Sequence, residues 1–300
     1  MALDLLEEAD LASQQAASTS FQVNDGDAML RLAIENPDDD AWQEANFETE
    51  GALYKAESTG DWSYRGDDPA DYEEVFDQEG GGDVADLTPL IDFLQFLNES
   101  DDATFAAELP ERLDVESFAT YLAMMDLVGN WDDIDGAGNN AYVWYDVAAE
   151  QFTIVPWDLN LAFGGGGMGG MPGGPGGEGG QFPEDFDPSQ LPEDMQPPEG
   201  FDPSQLPEDV QPPDGGGGGG GGGFGGRSNP LVERFHANED FEALYQEKLT
   251  ELREELYGGE VADEVLAFWV DTLTEHATDL VSEEAITEDA DAIAPQFTTE

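Results

Sequence analysis

Apolar positions along the chain change their period several times, and each change marks an element. Leu3, Leu6, Ala9 and Ala12 recur at helical spacing, which predicts an amphipathic helix over 3–17. Residues 19–23 and 28–35 predict two strands, joined by the hairpin turn Asn24-Asp25-Gly26-Asp27, whose residues tolerate positive φ. A short helix is expected over 38–47 after Pro37, and the run GALYKA at 51–56 predicts a further strand. Residues 57–85 are polar, acidic and Gly-rich, and predict a loop. Thr88 and Pro89 open a predicted helix to Asn98, with Leu90, Phe93, Leu94 and Leu97 on its apolar face. Asp114 is the expected cap of the next helix, which buries Phe118, Leu122, Met125, Leu127 and Val128 and stops at Gly129. From Asn229 the pattern is helical again, over 230–235, 240–257 and 261–281. There Leu244, Leu249, Leu252 and Leu256 face Val265, Phe268, Trp269 and Leu273, and 285–300 reads as a frayed end.

Between these helical runs lies GNWDDIDGAGNNAYVWYDVAAEQFTIVPWDLNLAF, residues 129–163. Residues 141–145 and 151–155 are rich in aromatic and branched side chains and predict an antiparallel pair joined by 146–150. A hairpin with a carboxylate loop at each end brings Asp132 and Asp158 to one place. Phosphoryl transfer needs such an arrangement: an Asp to receive the acceptor's hydroxyl proton, and an Asn with a second Asp to hold magnesium. In that order the candidates are Asp132, Asn140 and Asp158, while Asp133 and Asp135 read as solvated loop residues, with an auxiliary part in metal binding as the alternative for either.

Residues 164–226 break all periodicity. Gly-rich ends flank a direct repeat, FDPSQLPEDMQPPEG followed by FDPSQLPEDVQPPDG, and the composition predicts a disordered insertion. No Gly-Lys-Ser/Thr follows the glycines, so they are not a phosphate cradle. The expected layout is therefore 1–163 and 227–300 as one folded unit interrupted by 164–226.

Charge changes the picture most. Seventy acidic residues against eight basic ones give a net charge of −62. Such a chain repels nucleic acid and anionic membranes, and it resists compaction unless salt screens it. With 39% apolar residues in periodic segments, the composition points to a folded protein of a high-salt organism rather than to a disordered one. There is no cysteine, which removes disulfides and thiolate metal sites, and His236 and His276 are too few and too far apart for a His-rich zinc site. No apolar run reaches a membrane span. The segment Asp133-Ile134-Asp135-Gly136 matches only part of a calcium-loop pattern, because the first and last ligand positions fall on Trp131 and Tyr142. A glycosidase pair of carboxylates is an open alternative in principle, since its test is a carboxylate separation that a sequence does not give.

The 129–163 stretch resembles the CotH kinases, spore-coat proteins with an atypical protein-kinase-like fold. Their motifs are G-N-x-D, a loop with H-N, a strand pair and P-W-D-L-D. This chain has Gly129, Asn130 and Asp132, then Asn139-Asn140 at the H-N place, then Pro156-Trp157-Asp158-Leu159-Asn160. It departs in a longer acidic loop, which leaves Asn139 and Asn140 both open as the ligand, and in Asn160 at the last Asp position. Ile34-Glu35 and Leu53-Tyr54-Lys55-Ala56 resemble the family's V-E and L-Y-K-A, and Asn229-Pro230-Leu231 its H-P-L.

The resemblance implies an α+β, protein-kinase-like fold with a reduced N-terminal lobe and a mostly helical C-terminal lobe. It implies transfer of phosphate from ATP to a protein substrate's hydroxyl, with Asp132 as base and Asn140 and Asp158 binding Mg2+. Lys55 follows the expected hinge and reads as a pairing charge rather than a phosphate ligand. The earlier small-lobe strands are missing from this reading, as though the chain began at an internal Met. Family members are coat or cell-envelope proteins; no export signal is visible in this chain, which would leave it cytoplasmic if complete. The alternative from another class is a non-catalytic pseudokinase or cell-surface binding protein.

Overall fold

The computed structural model describes residues 1–57, 61–130, 132–135, 140–167 and 229–298. Helix α1 (Ala2–Glu8) ends early: Asp10 adopts φ 56°, and the chain enters strand β1 (Ala16–Phe21) instead of continuing to residue 17. Tertiary bonds overrule the helical spacing here. The buried Gln14 donates to the Pro156 carbonyl, and the Ser13 carbonyl accepts from the Trp42 indole. β1 pairs antiparallel with β2 (Met29–Ile34) through the predicted turn, where Asn24 takes φ 52°. This hairpin leaves much of its apolar surface open, with Phe21 52% and Leu32 55% exposed.

Helix α2 (Asp40–Asn46), capped by Asp39, leads into a four-stranded antiparallel sheet ordered β4-β3-β5-β6. Its strands are β3 (Gly51–Ala56), β4 (Phe76–Gly80), β5 (Ala141–Asp146) and β6 (Gln151–Pro156). Strand β4 falls inside the predicted loop 57–85. Its sequence, FDQEG, lacks alternation, and only pairing with β3 makes it a strand. That pairing is irregular at Leu53/Tyr54, and Gly81 beyond it sits at φ 67°, where a Cβ would lie 1.9 Å from the Gly51 carbonyl oxygen. One face of the sheet packs Leu53, Tyr142, Trp144 and Val155 against Trp42 of α2. The other face carries Tyr54, Val143, Phe152 and Ile154 into the main core.

That core is built on helix α5 (Val115–Leu127), capped by Asp114 as predicted. Phe118, Ala119, Tyr121, Ala123 and Met124 are fully buried, so the helix is apolar nearly all round, as a central helix must be. Around it lie α3 (Thr88–Glu99), α4 (Asp102–Arg112), α6 (Pro230–Ala237) and α7 (Glu239–Leu252), which runs on as a π turn, Arg253–Tyr257. Arg234 of α6 fastens this group. Its guanidinium donates to the Leu97 carbonyl at 2.8 Å and lies 4.2 Å over the Phe105 ring.

Helix α8 (Val261–His276) packs on the π turn and α1 rather than along α7. Phe268, expected to face the α7 leucines, is 59% exposed, and Trp269 donates to Asp4 of α1 at 3.0 Å. The segment read as frayed holds helix α9 (Glu283–Ile293), capped by Ser282 and anchored by the buried Ile286. The architecture is α+β, with small antiparallel sheets beside many helices. No helix among the described residues is long and apolar enough to cross a membrane. The predicted insertion lies mostly outside the described residues; its first four, 164–167, end a 3-10 run that begins at Leu159.

Candidate functional site

The site begins where α5 stops. Gly129 takes φ 62°, a conformation glycine adopts without a Cβ penalty, and turns the chain out of the helix. Asn130 stays buried: its amide N–H donates to the Met125 carbonyl at 2.9 Å, while its side-chain Oδ1 has no hydrogen-bond partner among the described residues. Asp132 is half-buried.

Two residues on, the loop is nailed to the core through Ile134. Its side chain is fully buried, its N–H points to the Tyr121 hydroxyl at 3.5 Å, and its carbonyl accepts from Asn229 Nδ2 at 3.1 Å. Burial pushes the Tyr121 phenol well above its ordinary value, so the hydroxyl stays neutral. Of the two carboxylates expected in solvent, Asp133 is buried and Asp135 half-buried. Asp133 is 5% exposed and accepts from the Asp135 N–H at 3.0 Å. Burial also raises the Asp135 carboxyl; His236 pulls it back down, and Asp126 and Glu233 add to the rise. A loop that donates its Ile134 side chain to the core draws the flanking carboxylates inward, which a count of charges along the sequence does not reveal.

Asn140 joins the two halves of the site. It sits at φ 56° immediately before β5, its Nδ2 donates to the Asp132 carbonyl at 2.7 Å, and its own carbonyl accepts from the Trp157 N–H at 3.2 Å. The second bond continues the β5–β6 register, in which Ala141 faces Pro156. Because a carbonyl is its acceptor, Nδ2 is fixed as the donor end, and Oδ1 is the atom of this side chain able to meet a cation. Asn139, the other open choice, lies outside the described residues.

Asp158 follows directly. Trp157 stands edge-on to Tyr142 at 5.3 Å, and Asp158 is exposed with φ 54°. Five residues later the Phe163 N–H donates to the Val128 carbonyl at 2.7 Å, so the chain after β6 is tied back to the end of α5. Asp158 is thus held between a bond to the Asp132 side and a bond to α5. Phe297 packs on Phe163 and Tyr257, and Gln296 donates to the Phe163 carbonyl, which backs this segment with the C-terminal turn.

Asn140 is thus bonded both to the Asp132 carbonyl and to the backbone of the residue before Asp158. Lys55 does not join them: its Nζ pairs with Glu57 at 3.0 Å, and that bond raises its pKa. His276 is exposed, while His236 is bonded to Glu242 at 2.6 Å. Asn229 and Tyr121 went unpredicted as site residues, because only the fold brings α5 and α6 onto one loop; Asn130 stood in the motif, and the fold adds that it is buried.

Among the described residues no three His, Cys, Asp or Glu side chains gather to hold a metal ion. An amide oxygen and one exposed carboxylate suit a magnesium ion, which takes oxygen ligands, keeps several waters and completes its shell with phosphates. The sequence model of the CotH kinase protein family matches residues 1–279. No curated protein matches the chain.

Proposed function

The chain belongs to the CotH kinase family, and from that premise we propose that it moves the terminal phosphoryl group of ATP to a hydroxyl of a protein substrate. The observation that carries this reading is Asn140, whose two hydrogen bonds link the Asp132 loop to the strand end that bears Asp158. In this reading Asp132 accepts the proton as the substrate oxygen bonds to the γ-phosphorus. The bond from that phosphorus to the β–γ bridging oxygen breaks, and ADP leaves. Asn140 Oδ1 and the Asp158 carboxylate would hold Mg2+, which when bound neutralises charge on the phosphates. Such a cation is a physical need here, since a chain of net charge −62 repels a polyphosphate. The matching fold would be protein-kinase-like, with the four-stranded sheet in a small lobe and α3–α9 in the larger one. A coat or cell-envelope setting belongs to the same proposal.

The test pairs nucleotide binding with phosphate transfer, in molar KCl, for the wild type, Asp132→Asn, Asp158→Asn and Asp291→Asn as an exposed control. Asp158→Asn should weaken magnesium-dependent nucleotide binding. Asp132→Asn should bind as the wild type does and lose transfer by about 100-fold or more. If both variants behave as the control does, the assignment is wrong. If the folded wild type binds no nucleotide, the chain is the non-catalytic alternative.

A further inference from the structure

Asn229 is 3% exposed and uses both ends of its amide. Oδ1 accepts from the Leu231 N–H at 2.9 Å, which caps α6, and Nδ2 donates to the Ile134 carbonyl at 3.1 Å. Ile134 has a fully buried side chain and stands two residues from Asp132. Its other backbone group meets Tyr121 at a longer 3.5 Å. The better of the two bonds made by the Ile134 backbone therefore comes from Asn229, the cap of α6, which is distant in sequence.

We infer that Asn229 is a positioning residue for Asp132: it locks the Ile134 peptide and so fixes where the loop presents its carboxylate. This rests on the phosphoryl-transfer reading for its catalytic half, but not for its structural half. A carboxylate that must meet a hydroxyl within hydrogen-bond reach is sensitive to small displacement. An α6 cap alone would be served by any Asn, Asp, Ser or Thr; the Ile134 bond needs a donor of this length. Ser keeps a capping oxygen but cannot reach Ile134, and Asp keeps the cap but sets an acceptor against the Ile134 carbonyl.

The experiment compares the wild type with Asn229→Ser and Asn229→Asp in the full chain at molar KCl. Amide hydrogen exchange is read over 132–135 and over α6, with kcat and KM for transfer alongside. The expected result is faster exchange over 132–135 in both variants, unchanged protection in α6, and a fall in kcat of about tenfold or more with the nucleotide KM unchanged. Unchanged exchange over 132–135 overturns the inference, as does loosening of α6 and the loop together, which would make Asn229 a helix cap only. A loosened loop with wild-type kcat overturns the positioning role. A wild type without transfer overturns the kinase reading itself, while the exchange data still decide whether Asn229 holds the loop.

Discussion

At the scale of single residues, the site depends on side chains that solve two local problems at once. Asn140 is the clearest case. It occupies a left-handed conformation that costs most residues about 1 kcal/mol or more, and its side chain bridges to Asp132. Asn tolerates that conformation better than other non-glycine residues. Asn140→Gly should lose only the hydrogen bond, about 1 kcal/mol, whereas Asn140→Ala should lose the bond and add strain, for about 2 kcal/mol in total. Urea unfolding at fixed molar salt measures both, and an Ala variant as stable as the Gly variant contradicts the account. Asp158 shares the left-handed φ, so its charge can be removed by Asn with little conformational penalty.

At the scale of elements, what matters is which ends are tied. Helix α5 is tied at its start by Asp114 and Leu113, whose backbones meet Phe152 of β6, and at its end by Tyr257 and Phe163. The helix that delivers the chain to Asp132 is therefore bonded both to the strand that leads to Asp158 and to the segment that follows it. Helix α9 is tied at its start by the Ser282 cap and the buried Ile286, and past its end by Gln296 and Phe297 against Phe163. Ser282→Ala should remove about 1 kcal/mol from this helix alone. Amide exchange over 286–293 should then run about fivefold faster, while the global unfolding midpoint stays in place. A drop in the global midpoint would mean that α9 unfolds with the core.

At the scale of the whole molecule, charge sets the conditions. Ion pairs such as Arg65–Asp61 at 3.1 Å and Arg112–Glu108 at 3.0 Å are largely exposed and contribute at most about 1 kcal/mol each. They cannot offset the self-repulsion of a net charge of −62. Burial around α5 must carry the fold, and screening must permit it. Raising salt from 0.1 M to 1 M shortens the Debye length from about 10 Å to about 3 Å. The thermal midpoint should rise steeply over that interval. A midpoint that does not change with KCl would show that carboxylate repulsion is already relieved within the fold.

The amino-acid sequence alone determined the elements whose signals are local. GALYKA reads as a strand, Asp114 and Gly129 bracket α5, and the 141–156 hairpin follows from its aromatic and branched pattern. It also placed Asp132, Asn140 and Asp158 in order, because their order and spacing are linear facts. Only the tertiary structure decided the rest. β4 exists because β3 offers it an edge, α1 stops short because Gln14 and Ser13 have partners far away in the chain, and α8 turns from α7 to α1. Asp133 and Asp135 are drawn inward because Ile134 is buried between α5 and α6. Asn229 meets the Asp132 loop from 95 positions further along the chain. Caps, turns and periods are properties of neighbours in the chain. Edges, buried amides and the surroundings of a carboxylate are properties of neighbours in space, and no local pattern encodes them.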